Sequence, residues 1–330
     1  MRSKSRPLRT PHSALRTLLV SLSLLCTGCA SVPRRAAYPS PQPLPADIAA
    51  YYDYPDHHPS ATVQLVRTQP WFQEFLVQFP LSVSGFEPTE PVVEFEWFES
   101  SQPGKRPAIL FNPILGGDYP LERGICRHFA RYGYHVALVH RKTLKISPEH
   151  PVDRMELLLR QGVVRIRQVV DWMAAQERVD ADRMGSFGIS MGGIAGVIAA
   201  AIEPRLRVHV AALAGGTIPD VLIRSKDRLL TKPRTKYLAR NHMDLETLER
   251  RLRESVRTDP VLLAPYVDPD RLFMVIALAD RTIGRANSLR LWHALHEPQA
   301  VFLPLGHYTA YFSLPFLKYQ GLRFFNERLT

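Results

Sequence analysis

One serine in this chain is flanked by glycines at the spacing that a nucleophile needs on a tight turn. The run GSFGISMGG places Gly188 two residues before Ser190 and Gly192 two residues after it, which is the G-x-S-x-G pattern. A strand pattern precedes the serine and an apolar helix pattern follows it. Such a turn exposes the hydroxyl and points the backbone N–H of Met191 toward developing negative charge. The pattern predicts a nucleophilic serine; the alternative is that the glycines serve only close packing of helix on sheet.

A serine hydroxyl is a weak nucleophile until a base removes its proton. In a parallel sheet that base comes from a loop at the carboxyl end of a strand. Of the twelve histidines, His307 fits best, because it directly follows the strand pattern VFLPLG. The histidines at 135, 140 and 209 lie in or at the ends of strand patterns, where a core or rim position is the usual explanation.

The third member of such a site is a carboxylate that fixes the tautomer of the imidazole ring. Asp280 ends the strand pattern FMVIALAD, so it is expected at the carboxyl edge of the sheet. Asp268 and Asp270 precede the same strand and are expected at the opposite edge. Asp220, which follows the strand pattern AALAGG, is the alternative to Asp280.

Strand and helix patterns alternate along most of the chain with little turn sequence between them. The patterns RPAILFNPILGG and YHVALVH are strands, and MELLLRQGVVRIRQVVDWMAA is a helix. We therefore expect an α/β fold with a mostly parallel sheet of about eight strands and helices on both faces. Residues 217–267 interrupt this alternation, and we expect them to form a helical cap insertion above the carboxyl ends of the strands. Within the cap, the basic run 224–240 either faces anionic lipid or an acidic substrate, or is a solvated surface.

The N-terminal residues have the character of an export signal. Residues 1–28 carry five basic side chains and no acidic one, and a short apolar run ends at Leu25. The following CTGC resembles the lipobox of bacterial lipoproteins, in which Cys29 is acylated; Cys26 departs from that pattern, where Leu is usual. This resemblance implies an outer-membrane lipoprotein that faces the periplasm. The alternatives are an uncleaved anchor, or a simple signal cut near Ala30 that leaves a periplasmic or secreted protein.

Charge and cysteine content restrict the classes of partner. The net charge of +11 falls to about +6 without residues 1–28, which is too mild to indicate nucleic acid. Cys126 is then the one thiol left besides Cys29, so neither a disulfide nor a metal cluster is expected. The proline-rich residues 29–60 are expected to be a tether, and residues 61–330 the folded domain.

The chain from about Val92 to Thr330 resembles the α/β-hydrolase superfamily. The residues carry the order Ser190, Asp280, His307, and VDWMAAQERVDADRMGSFGISMGG is similar to the stretch before the nucleophile in dienelactone-hydrolase-like and acetyl-esterase-like enzymes. The resemblance implies an oxyanion hole made by the N–H of Met191 and a second N–H after the strand AILF. Many relatives have His-Gly there, whereas this chain has Asn-Pro at 112–113. Because proline has no N–H, the second donor is Ile114 or Leu115.

These residues predict a serine hydrolase that cleaves carboxylic esters through a Ser-His-Asp acyl-enzyme mechanism. Its substrate would be a small-molecule ester or a lipid. A peptidase, thioesterase or acyltransferase would use the same triad, and a non-catalytic hydrolase-like lipoprotein that binds a lipid or a protein is the alternative outside enzymes. The sequence contains no metal-cluster, P-loop or dinucleotide motif, so no cofactor and no metal are expected.

Overall fold

The computed structural model describes residues 30–55, 60–116, 118–141 and 149–329. Ten strands of these residues form one sheet, and their bounds are β1 Ala30–Val32, β2 Thr62–Gln69, β3 Phe72–Pro80, β4 Val92–Ser100, β5 Arg106–Asn112, β6 His135–Val139, β7 Val179–Ile189, β8 Leu206–Ala212, β9 Leu272–Ala277 and β10 Gln299–Leu303. The α-helices are α1 Ala46–Tyr51, α2 Pro120–Arg131, α3 Arg154–Ala174, α4 Met191–Ile202, α5 Ile218–Arg224, α6 Arg228–Arg240, α7 Leu245–Ser255, α8 Pro260–Leu263, α9 Arg285–Ala294 and α10 Leu314–Arg328.

The strand order across the sheet is β1-β10-β9-β8-β7-β5-β6-β4-β3-β2. The central run from β10 to β6 is parallel, and the strands outside it pair antiparallel. The predicted α/β class with a mostly parallel sheet is therefore confirmed. Parallel strands place all their carboxyl ends at one edge, so loops that follow different strands meet there.

The central strands alternate their side chains between two helical layers. In β5, Phe111 points to the layer that contains α2 and α10, and Leu110 points to the opposite face. Phe129 of α2 and Phe325 of α10 meet edge to face, with ring centroids 5.7 Å apart. On the other face, α3, α4 and α9 supply apolar side chains such as Val197. Helices thus cover both faces of the sheet, and the strand ends are held between two packed layers.

The sheet has more strands than the eight or so expected from the sequence. One addition is β1, which lies in the segment that proline content predicts to be a tether. Residues 30–55 instead pack on the domain: Tyr52 is 1% exposed, and its hydroxyl lies 3.0 Å from Thr258 Oγ1. The Gln42 N–H donates to the carbonyl of Pro265 at 2.8 Å. Tyrosines in the segment supply buried surface that its lack of periodicity does not reveal.

The cap insertion forms between β8 and β9, where the sequence places it. It consists of α5 to α8, and Asp244, the N-cap of α7, accepts a hydrogen bond from the N–H of Thr247 at 2.7 Å. Most of the basic run is the helix α6, which begins after its own N-cap, Asp227.

The expected signal, residues 1–28, and Cys29 lie outside the described residues. Among the residues that are described, none of the helices combines the length and the apolar character needed to span a bilayer. Cys126 is fully buried in α2.

Candidate active site

Ser190 lies on the turn between β7 and α4 in a strained backbone conformation. Its φ is 57° and its ψ is −120°, values that a residue with a side chain seldom adopts. Glycine is required at positions 188 and 192, because a side chain there would collide with the backbone of a neighbouring segment. A Cβ on Gly188 would lie 2.1 Å from the carbonyl oxygen of Gly192, and a Cβ on Gly192 would lie 2.0 Å from the backbone oxygen of Asn112. The glycines of the G-x-S-x-G pattern therefore allow the turn to close on its neighbours.

The structure brings together the three side chains that the sequence singles out. Ser190 Oγ lies 3.0 Å from His307 Nε2, and His307 Nδ1 lies 2.7 Å from Asp280 Oδ2. The other carboxylate oxygen of Asp280 accepts the backbone N–H groups of Thr282 and Ile283, at 2.8 and 2.9 Å. With Nδ1 donating to the carboxylate, Nε2 of the neutral ring is the acceptor that faces the serine hydroxyl.

Asp220, the alternative carboxylate, lies in a different environment. It is fully buried and accepts hydrogen bonds from Arg224, Arg253 and Arg290, as well as from Thr217. Burial alone would raise its pKa, but the bonds from Arg253 and Thr217 outweigh burial and hold the pKa below its usual range. This aspartate therefore links the cap helix α5 to neighbouring arginines.

The loop after β5 is fixed from both sides. The N–H of Ile114 donates to Glu122 Oε1 at 3.2 Å, and Glu122 is buried at the start of α2. Arg141 Nη2 donates to the carbonyls of Pro113 and Ile114, at 2.7 and 3.2 Å. Burial lowers the pKa of Arg141 to about 10, so the guanidinium stays protonated at neutral pH. Since the N–H of Ile114 is engaged by Glu122, Leu115 becomes the better candidate for a donor toward Ser190.

A cavity of about 410 Å³ opens beside Ser190 and His307. The cap helices α5 and α6 line one side of it, and α3, α4 and α10 line the others. In the part of the chain that the structure describes, His307 is the only acidic, basic or amide side chain that lines this cavity. Its size is within the range of small-molecule sites, and its walls are almost entirely aliphatic and aromatic.

The carboxylate of Asp227 joins the cap to the loops that carry the site. Asp227 Oδ2 accepts hydrogen bonds from Thr282 Oγ1 at 2.6 Å and from the Tyr308 hydroxyl at 2.5 Å. These donors lie two residues after Asp280 and one residue after His307. Burial would raise the pKa of Asp227, but these two bonds outweigh it and hold the pKa low. The pKa of Tyr308 is raised to about 12, by burial first and then by the bond to Asp227.

Comparison with solved structures finds the same architecture in several hydrolases. Acetyl xylan esterase 1 from Thermoanaerobacterium sp. JW/SL YS485 superposes with a TM-score of 0.63 at 17% identity, over 85% of this chain and 95% of that one. The acetyl xylan esterase from Paenibacillus sp. R4 gives 0.65 at 17% identity, over 86% and 92%. The alpha/beta hydrolase GrgF from Penicillium sp. sh18 gives 0.55 at 14% identity, over 78% and 99%. The chain has an α/β-hydrolase fold.

Within this α/β-hydrolase fold, residues 160–304 match the sequence model of the prolyl oligopeptidase family, Peptidase_S9. The matched segment contains Ser190 and Asp280 and ends three residues before His307. A comparison with curated protein sequences finds no match.

Three residues of this candidate site were not located from the sequence: Asp227, Glu122 and Arg141. Each acts through a partner distant in sequence or through a backbone group. Asp227 carries a local signal, because an aspartate directly before a helix is a typical N-cap, but its bonds to the loops after β9 and β10 depend on the closed fold.

Proposed function

We propose that the protein is a serine hydrolase that cleaves carboxylic esters through an acyl-enzyme. The observation that carries the proposal is the chain of two hydrogen bonds from Ser190 through His307 to Asp280, at 3.0 and 2.7 Å. A hydroxyl in contact with a neutral imidazole, whose second nitrogen is held by a buried carboxylate, is the arrangement that makes a serine nucleophilic.

The proposed reaction passes its protons through His307. Ser190 Oγ attacks the ester carbonyl carbon while Nε2 takes the hydroxyl proton. The bond to the alcohol then breaks, and the alcohol leaves with that proton. Nε2 next takes a proton from a water molecule whose oxygen attacks the acyl carbon. The bond to Ser190 Oγ then breaks, the carboxylic acid leaves, and Nε2 returns the proton to Oγ, while Asp280 stabilises the imidazolium at each step.

The oxyanion that forms in each step needs two N–H donors. We assign these to Met191, at the N-terminus of α4, and to Leu115. The bond from the N–H of Ile114 to Glu122 supports the choice of Leu115 over its neighbour. The hydrogen bonds from Arg141 to the carbonyls of residues 113 and 114 hold the loop in place.

A fluorophosphonate probe tests the proposal directly. The wild-type protein should be labelled covalently, and Ser190→Ala should not be, although its circular dichroism stays unchanged. Ser101→Ala, at an exposed loop position, serves as the matched control and should label like wild type. Folded wild-type protein that takes no label and hydrolyses no ester would support a non-catalytic binding protein instead.

A peptidase is the second candidate, because residues 160–304 match the prolyl oligopeptidase family model. The same serine, histidine and aspartate can expel an amine in place of an alcohol. A peptide amide and an ester that share one acyl group separate the two functions. We expect the ester to be hydrolysed with the higher kcat/KM, and the reverse order would assign the protein to the peptidases.

We also propose that the protein is an outer-membrane lipoprotein of a bacterial envelope that faces the periplasm. The CTGC run and the apolar segment before it support acylation at Cys29. Cells grown with labelled palmitate should incorporate the label into wild-type protein and not into Cys29→Ala. Equal absence of label from both proteins, with cleavage near residue 30, would indicate a soluble periplasmic or secreted protein.

A further inference from the structure

We propose that the cavity beside Ser190 binds the acyl chain of a lipid-like ester, a substrate with a long unbranched hydrocarbon chain. The inference rests on the proposed function, since it places the scissile carbonyl at Ser190. It goes further by naming the class of substrate that the fold and the triad leave open.

Beyond Ser190, His307 and the hydroxyls of Thr282, Tyr308 and Tyr311, the side chains that line the cavity are apolar. Leu159 of α3 and Ile194 of α4 are both buried and line the cavity between the sheet and the cap. Val221 and Leu230 face it from the cap, and Leu317 faces it from α10. These groups offer dispersion contacts and no hydrogen bonds, so a methylene chain gains by entering and a polar group loses its hydration.

The position of His307 decides which part of an ester enters the cavity. The alcohol must leave with the proton from Nε2, so it lies against the imidazole. The neighbouring Tyr308 is 63% exposed, so this side of the site borders solvent. The buried space next to Ile194, one helical turn after Ser190, remains for the acyl chain.

The same features disfavour other ester substrates. A cavity of about 410 Å³ is far larger than an acetyl group fills. Sugar hydroxyls need several hydrogen-bonding side chains, and beyond Ser190 and His307 the described lining offers only the hydroxyls of Thr282, Tyr308 and Tyr311. A peptide N-terminus needs an acidic side chain, and none lines the described cavity.

Exposed apolar side chains surround the mouth of the cavity. Leu229 and Tyr311 line it and are 60% and 59% exposed, so the cavity reaches the surface between the cap and the loop after His307. Phe312, the next residue, is 70% exposed. Apolar groups clustered at a cavity mouth are suited to a substrate that arrives with its hydrocarbon part first.

The first test is the chain-length dependence of hydrolysis by the full protein. With p-nitrophenyl esters from acetate to decanoate, kcat/KM should rise about fourfold for each methylene until the cavity is filled, which corresponds to ~0.8 kcal/mol per methylene. A flat series, or one that falls beyond acetate, would overturn the proposal. Fluorophosphonate labelling of the same sample shows separately whether the serine is reactive.

Constriction of the cavity gives the second test. Leu230→Trp should lower the ratio of kcat/KM for decanoate over acetate by at least about tenfold, because the indole would fill the part of the cavity that we assign to the acyl chain. Lys236→Trp, on the same helix at an exposed position, should leave the ratio unchanged. Equal ratios in both variants would contradict the assignment of the chain to this cavity.

A binding measurement separates failure of this inference from failure of the proposed function. Ser190→Ala protein should bind cis-parinaric acid, whose fluorescence rises in apolar surroundings, and decanoate should displace it while acetate does not. Parinarate binding without any fluorophosphonate labelling of wild type would support the acyl-chain site and contradict the proposed hydrolase activity. Labelling without parinarate binding would retain the hydrolase and reject the chain site.

Discussion

Asp280 uses both of its carboxylate oxygens in the site. One accepts the His307 Nδ1–H, and the other accepts two backbone N–H groups of the loop that follows β9. The backbone bonds hold the carboxylate in one orientation, and the carboxylate in turn holds the imidazole. The position of the His307 ring therefore depends on the loop after β9 as well as on the Asp280 side chain.

Substitution of Asp280 by asparagine should remove most of the activity while leaving the fold intact. An amide can donate to Nδ1 and thereby favour the wrong tautomer, so we expect kcat to fall by roughly 10⁴-fold with little change in KM. The measurement is steady-state ester hydrolysis combined with thermal unfolding.

The control for this substitution is Asp220→Asn. Asp220 neutralises a cluster of arginines, so we expect its replacement to lower the unfolding temperature, with a far smaller fall in kcat for the fraction that stays folded. A larger kcat loss in Asp220→Asn than in Asp280→Asn would reverse the assignment.

Replacement of Gly192 by alanine should damage both stability and activity. The added Cβ would lie 2.0 Å from the backbone oxygen of Asn112, so the turn must open. We expect a loss of roughly 1–3 kcal/mol in unfolding free energy, and slower fluorophosphonate labelling.

Gly124→Ala provides the matched control for that loss. Gly124 lies inside α2 and its added Cβ would meet nothing within 4 Å, so stability should rise by about 0.5–1 kcal/mol. The comparison is made by denaturant unfolding, and equal effects of the two alanines would show that contact at the turn is not the cause.

At the scale of elements, the cap and the sheet are joined at Asp227. This residue is the N-cap of α6 and also accepts bonds from the loops that carry Asp280 and His307. A displacement of the cap is thereby transmitted to the two loops of the site. The start of α6 is in turn held down by the loops.

Loss of the Tyr308 hydroxyl should loosen the start of α6. In Tyr308→Phe, Asp227 keeps its bond from Thr282 and loses the other, so we expect faster hydrogen exchange at the first amides of α6 and a severalfold lower kcat/KM. Tyr319→Phe, at an exposed site on α10, is the control. Unchanged exchange in α6 would show that the Tyr308 hydroxyl does not hold the start of this helix.

The residues that the sequence located share one property: each follows a strand. Ser190, Asp280 and His307 lie in the turns or loops that directly follow β7, β9 and β10. In a parallel sheet such positions come together at one edge, independently of the details of packing. Arg141 and Glu122 could not be located in this way. Their partners are backbone groups of the loop after β5, and the path of that loop is set only when α2 and the sheet pack together.

At the scale of the whole molecule, two buried histidines link stability to pH. The ring of His135 accepts from the N–H of Ser100 at 3.1 Å and donates to the carbonyl of Arg178 at 3.0 Å, which fixes a neutral tautomer. Burial lowers the pKa of His135 to about 4, and it lowers that of His209 to about 3. Both pKa values lie below the unfolded value of about 6.5.

The protein should therefore lose stability in mild acid. Below pH ~6.5 these two imidazoles bind protons in the unfolded chain, whereas in the folded protein they stay neutral down to about their lowered pKa values. The unfolding free energy should therefore fall by on the order of 2 kcal/mol per histidine between pH ~7 and pH ~5. Urea unfolding across this range measures the slope. His135→Gln should reduce the slope by as much as one proton, whereas an unchanged slope would contradict the assignment to this residue.

The segment from residue 30 to residue 55 shows what composition does not encode. Proline content and the lack of a period predict a loose tether, yet Tyr52 is buried against Thr258, about two hundred residues later in the chain. A single aromatic side chain can secure an irregular segment when its pocket is built from distant parts of the chain. A local sequence pattern therefore cannot predict such a pocket.

The pairing of β1 with β10 has a geometric consequence for whatever precedes the domain. Ala30 lies opposite Phe302, near the end of β10 from which the chain proceeds to His307. Four strand spacings of about 4.8 Å separate β1 from β7 in the sheet order, so the attachment point lies roughly 20 Å from the reactive serine along the same rim. If Cys29 is acylated as proposed, the rim of the sheet that carries Ser190 therefore lies on the side of the domain nearest the membrane.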